Sequence, residues 1–190
     1  MTMHRFRGAA VMVVLSMSTS LNALADDELA DVNKPGPKFR LFTYNPEEAG
    51  KEAIALDDYV GADRTDTSTK VLIVSFMASF CAPCKKEMPY LQKLSERYKA
   101  DGLRVMMISI DKDAEGQKKV EALIAENKVT FPVLKDRYNI VARRWLGLQS
   151  PLPSLFTVRP DGSIASVHRG YGDDGAAILA KEVEAALGKK

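Results

Sequence analysis

Apolar and polar positions along the chain change period from block to block, and those changes outline the fold. "VLIVSFM", after Lys70, is an unbroken apolar run of strand length, the pattern of a strand buried on both faces. Beyond it, Met88, Leu91, Leu94 and Tyr98 recur at helical spacing and predict a helix to about Ala100, stopped by Gly102 and kinked at Pro89. "LRVMMISI" (Leu103 to Ile110) predicts a second buried strand. Ala114 to Asn127 predicts a helix with Val120, Leu123 and Ile124 on one face. "FPVL" at 131–134 predicts a short strand, and Tyr138 to Leu146 a helix ending near Gly147. In "SLFTVRPDGSIASVHRG" two strands flank the turn residues Pro160-Asp161-Gly162. Asp173 or Asp174 then caps a last helix through Leu187, with Gly188 past its end.

Upstream, Phe39 and Leu41, then Ile54 and Leu56, mark two short strands joined by the loop "YNPEEAGK", and Asp57-Asp58-Tyr59 starts a short helical turn. Alternating strands and helices in the middle imply parallel strands with crossover helices, and the closing hairpin adds antiparallel ones. The expected fold is α/β: a mixed central β-sheet with helices on both faces and an N-terminal β-hairpin.

The first 25 residues differ in kind. Basic Arg5 and Arg7 precede the apolar run "GAAVMVVLSM", and a polar stretch leads to Ala23-Leu24-Ala25 before three acids. These are the parts of a secretory signal, and the run is too short for a span of roughly 20 residues. Residues 1–25 are therefore read as a cleaved signal peptide, which makes the protein periplasmic or otherwise exported rather than membrane-anchored. Residues 26–38, with Pro35-Gly36-Pro37, read as a flexible lead-in and 39–190 as one domain. Of the chain's 27 basic residues two lie in the signal, and none of its 25 acidic ones does, so the remainder is formally neutral. No basic face marks a nucleic-acid partner.

Export bears on the only two cysteines, Cys81 and Cys84. Three readings compete: structural clip, metal ligands, or reactive dithiol. A bridge between residues three apart closes almost no loop and constrains the unfolded chain little. A structural zinc site wants four ligands, and the signal-free chain adds only the distant His168. Copper(I) could use both cysteines with a thioether from Met77 or Met88, although core packing explains those methionines equally. The dithiol reading has the most physical support. The pair sits where a buried strand meets a helix N-terminus, whose unpaired amides and dipole stabilise a thiolate at Cys81. Pro83 suits the first helical turn, and Cys84, one turn on, can resolve a mixed disulfide formed at Cys81 without any cofactor.

"VLIVSFMASFCAPCKKEMPYL" resembles the active-site strand and helix of thioredoxin-fold proteins, in particular exported thiol–disulfide oxidoreductases of the TlpA/ResA type. The pattern C-x-P-C-K-K-E-x-P is met by Cys81, Pro83, Cys84, Lys85, Lys86, Glu87 and Pro89. The likeness runs from about Pro37 to Leu187 and includes a central helix–strand insertion near Asp113 to Leu134. It implies a thioredoxin-like fold with Cys81 as nucleophile, Cys84 as resolving thiol and Glu87 as the group that tunes them and moves protons. In "SPLPSLF" it implies a cis-Pro153 facing the cysteines, with Leu152 pairing its backbone to a bound partner segment beside Pro83 and Phe80. It favours reduction of partner-protein disulfides, as in cytochrome c maturation, with disulfide formation the opposite direction left open by the sequence. Turnover as a reductant then needs a membrane thiol–disulfide donor, because an exported compartment offers no thiol supply, and the protein is expected to be a monomer. Met77 and Phe80 stand where many members carry tryptophan, and Ser75 stands where thioredoxin has a buried acid. Two alternatives use the same thiols: a copper(I) chaperone, and a peroxiredoxin-like peroxidase. The latter wants a hydroxyl three residues before the reactive cysteine, where this chain has Ala78.

Overall fold

The computed structural model describes residues 29–148, 151–170, 172 and 174–189; the expected signal peptide lies outside the described residues, as does Asp173. All seven residues of the strand Val71–Met77 (β3, after the hairpin strands β1, Arg40–Phe42, and β2, Ala53–Ala55) are buried. β3 is the middle of a five-stranded sheet. Beside it run β4 (Leu103–Ser109) and then β5 (Val133–Lys135), both parallel to their neighbours; on the other side lie β6 (Ser154–Val158) and β7 (Ile164–Arg169), both antiparallel. The mixed sheet is thus as the pattern predicts.

Burial on both faces explains why β3 lacks polar alternation. Val71, Ile73 and Met77 pack under the helices α2 (Ala82–Tyr98), α3 (Ala114–Glu126) and α5 (Gly175–Ala186). Leu72, Val74 and Phe76 pack on the opposite face against α4 (Ile140–Leu146) and the β1–β2 hairpin. Each such aliphatic or aromatic side chain contributes about 1.5–3 kcal/mol through burial. On α2 the residues turned inward are Cys84, Glu87, Met88, Leu91, Leu94 and Tyr98, a helical stripe, and the helix continues through Pro89 as one element. It passes into a 3₁₀ turn (Lys99–Asp101) that Gly102 ends at φ 106°; a Cβ there would sit 2.7 Å from the Ser68 carbonyl oxygen.

Three local features differ from expectation. The hairpin loop holds a one-turn helix (α1, Pro46–Ala49), started by its proline and ended by Gly50 in the left-handed region. Asp174 precedes α5 without a side-chain capping bond. The largest difference concerns the lead-in, expected to be flexible. Its described part is docked: Asn33 N–H donates to the Ile164 carbonyl (2.8 Å), Ile164 N–H to that of Lys34 (2.9 Å), and Gly36 N–H to that of Gly162 (3.0 Å). The fully buried Trp145, set edge-on against Phe156 with ring centroids 4.9 Å apart, donates its indole N–H to the Pro37 carbonyl (2.9 Å). Backbone pairing and one indole bond hold a segment whose side chains carry little signal.

Candidate active site

β3 ends at the redox loop. Cys81 caps α2 with extended backbone, and its N–H donates to the Ala78 carbonyl at 3.0 Å. Its sulfur accepts from the Cys84 N–H at 3.2 Å, and no acidic side chain occupies the first turn of α2. Open amides and the positive helix end therefore face this sulfur and favour its thiolate once the bond is reduced. The sulfurs of Cys81 and Cys84 are joined as a disulfide. Cys81 keeps 8% of its surface exposed and Cys84 none, and of the two only Cys81 lines an open groove.

Beside Cys81 opens a groove of about 690 Å³. Phe80, Pro83 and Leu152 line it together with Tyr138, Arg143 and Leu148. Phe80, Tyr138 and Leu148 are 75%, 74% and 88% exposed, unusual for large apolar side chains near one spot. The Leu152–Pro153 peptide bond is cis. Pro153 itself is buried at the start of β6, and its carbonyl accepts from Gly170 N–H.

Glu87 lies one turn behind Cys84, buried to 7% exposure. The Ser75 hydroxyl donates to its carboxylate at 2.6 Å. Burial pushes its pKa up from the ordinary 4.5 to about 7; the Ser75 bond and the charge of His168 pull the other way. Ser75 on β3 thus orients a carboxyl supplied by the helix. Met77 and Met88, considered as copper ligands, are fully buried in the same core cluster as the cysteines.

Sequence reasoning missed the latch that holds the loop. Asp111, just past β4, is buried and accepts from the Ser79 N–H (2.9 Å), the Ser79 hydroxyl (2.6 Å) and the Ser109 hydroxyl (2.8 Å). Gly116 makes room for it, since a Cβ there would lie 2.6 Å from Asp111 Oδ1. The available signal was topological: adjacent parallel strands end side by side, so a carboxylate after β4 falls next to a loop after β3. His168, too isolated in sequence to complete a zinc site, lies on β7 with its Nε2 2.9 Å from Glu182 Oε2.

One cysteine with surface at the groove, and a second sealed a helical turn behind it, suit two-electron exchange with another disulfide: the chain is a thiol–disulfide oxidoreductase on a thioredoxin-like fold. Residues 32–167 match the profile of the AhpC/TSA family, and the chain belongs to that family. It is 28% identical over 168 residues to the thiol-disulfide oxidoreductase ResA of Oceanobacillus iheyensis, covering 87% of this chain and 80% of that one. To ResA of Bacillus cereus it is 30% identical over 141 residues, covering 74% and 70%. Among solved structures it is similar to one described as a thiol:disulfide interchange protein DsbE from Chlorobium tepidum: TM-score 0.69, 23% identity, 83% of this chain and 99% of that one. StoA from Bacillus subtilis gives a TM-score of 0.58 at 23% identity, over 78% and 98%. At these identities the structural likeness speaks for the fold.

Proposed function

We propose that this chain works outside the cytosol as a reductant of disulfides in partner proteins, recharged by a membrane thiol–disulfide donor. The observation that carries the reading is the asymmetry of the pair, an accessible Cys81 beside an open groove and a sealed Cys84 over Glu87. In the reduced protein the Cys81 thiolate attacks one sulfur of the partner's disulfide and forms a mixed disulfide, and the partner's other sulfur leaves as thiolate. Glu87 takes the proton from Cys84. The Cys84 thiolate attacks the Cys81 sulfur, re-forms the internal bond and releases the partner's second thiolate. Two electrons pass to the partner, and both its sulfurs collect protons from solvent.

In this scheme Phe80, Pro83, Leu152 and Pro153 hold the partner segment, and the reaction needs no cofactor. The ResA relatives, and a groove rather than a closed pocket at Cys81, favour a polypeptide substrate such as an apocytochrome cysteine pair. The test is Cys84→Ser expressed in the native compartment, which is expected to trap partner proteins on Cys81. Capture of none, together with tight stoichiometric copper(I) and no insulin reduction by the unaltered protein, overturns the reading in favour of a chaperone. N-terminal sequencing of the secreted form is expected to start at Asp26.

A further inference from the structure

A partner joined to Cys81 covers the groove, and Cys84 has no exposed surface of its own. The proton that Cys84 must lose therefore needs another exit. A second cleft, of about 420 Å³, opens between α2, β7 and the start of α5, one helical turn along α2 from Cys84 at Glu87. Among the described residues it shares no lining side chain with the groove. Glu87 and His168 both line it.

Strand register explains that meeting. Ser75 on β3 pairs with Leu155 on β6, which pairs with His168 on β7, so the three stand in one row on one sheet face. Two strand spacings of about 4.8 Å put the His168 backbone roughly 10 Å from that of Ser75, the residue bound to Glu87. His168 Nε2 lies 2.9 Å from Glu182 Oε2 on α5, and Glu182 also accepts from the Ser166 hydroxyl at 2.9 Å. The ring is thus held while keeping about a third of its side chain exposed. The other polar groups around Glu87 are accounted for. On α2 the Tyr90 hydroxyl donates to the Ala176 carbonyl, β3 offers Ser75, and β6 offers only apolar Leu155. On β7 the Arg169 guanidinium lies over the Phe156 ring, and Asp174 borders the cleft before α5.

We propose that this cleft is the proton port of the enzyme: Glu87 passes the Cys84 proton to solvent through it, and His168, held by Glu182, is the positioning residue that keeps Glu87 ready to accept. The inference rests on Glu87 acting as the base in the scheme above. Its value to the reaction is separation, since the partner occupies one side of the disulfide while the proton departs from the other. When its ring is protonated, His168 favours the carboxylate form of Glu87.

The test follows the reduced protein reacting with excess dithiobis(nitrobenzoate), in which attack by Cys81 and then by Cys84 each release one coloured thiolate. The second release is expected to track an ionisation near pH 7. His168→Gln is expected to move that midpoint to higher pH, with a fewfold loss of rate near neutrality, and His168→Lys to bring it back down. Ala176→Phe, filling the cleft beside Glu87, is expected to move the midpoint upward as well by displacing water from the carboxylate. Circular dichroism and the urea midpoint of each variant report whether it is folded, and the first release serves as the reference for the second. Glu87→Gln is expected to slow the second release by about 10²-fold, the lower range for a lost general base. If Glu87→Gln behaves so but His168→Gln or Ala176→Phe leaves the midpoint in place, the port is wrong and the base stands. If Glu87→Gln changes nothing, the base assignment itself falls and the port with it.

Discussion

The two sides of the disulfide are built from different materials. Toward the groove, the surface is wide and carries exposed rings and aliphatic chains with Lys112 and Arg143, and among the described residues no carboxylate lines it. Toward the rear the space is smaller and Leu155, Val167 and Leu179 line much of it, but it holds a buried acid and an imidazole, each with a bound partner: Ser75 with Glu87, Glu182 with His168. The groove side suits a large partner of variable shape, because apolar contact is non-directional and tolerant. The rear suits a proton, whose handling depends on fixed donor–acceptor distances and on a carboxyl whose charge is poised. The thirteen residues from Ser75 to Glu87 serve both, since the strand and helix that carry the cysteines also present Phe80 forward and Glu87 back.

The largest effect expected from breaking this division is at the pair itself. Cys84→Ser is expected to abolish turnover in insulin reduction while keeping one attack by Cys81, and Cys81→Ser to abolish both. Next comes the latch. Asp111→Ala leaves the Ser79 N–H and two buried hydroxyls without their acceptor, and urea denaturation is expected to show a loss of about 3 kcal/mol or somewhat more. Gly116→Ala, crowding the same carboxylate, is expected to act in that direction with smaller size.

Glu87→Gln sharpens the rear side through its pH dependence. A carboxyl raised from 4.5 to about 7 binds its proton more tightly folded than unfolded. Its contribution to stability is fully present below pH 4.5 and is lost as pH rises through 7. Glutamine cannot ionise, so in the oxidised protein the variant's stability relative to wild type is expected to rise across that window. The total gain is expected to be about 3 kcal/mol, read from urea midpoints at acid and alkaline pH. A difference that stays flat with pH would show that Glu87 does not titrate there. The smallest effect belongs to the groove: Phe80→Ala, at an exposed position, is expected to change stability by less than about 0.5 kcal/mol. For a protein substrate it is expected to raise KM about tenfold with kcat held.

Legibility in the sequence followed the kind of force involved. The β3 strand was plain because burial on both faces leaves an unbroken apolar run, and α2 because one buried stripe imposes its period. The cysteine site was legible from two residues and their position between those elements. Pro153 stood out through family resemblance rather than spacing. Asp111 did not, because a carboxylate in "IDKDAEG" resembles the start of a helix, and Asp113 does in fact cap α3 there. His168 needed the register of three strands, which no single stretch of sequence contains. The turn of helix at Pro46–Ala49 was too short to leave a period.

The docked lead-in sets where the chain can be cut or joined. Trimming to Phe39, as a polar and proline-rich opening invites, deprives the Trp145 indole of its acceptor and uncovers the start of β7. Gly36 lies so flat on that indole that a Cβ would come within 2.7 Å of it, so even a one-residue alanine replacement there presses on the core. Affinity tags, fluorescent fusions and protease sites therefore do not belong within residues 30–38.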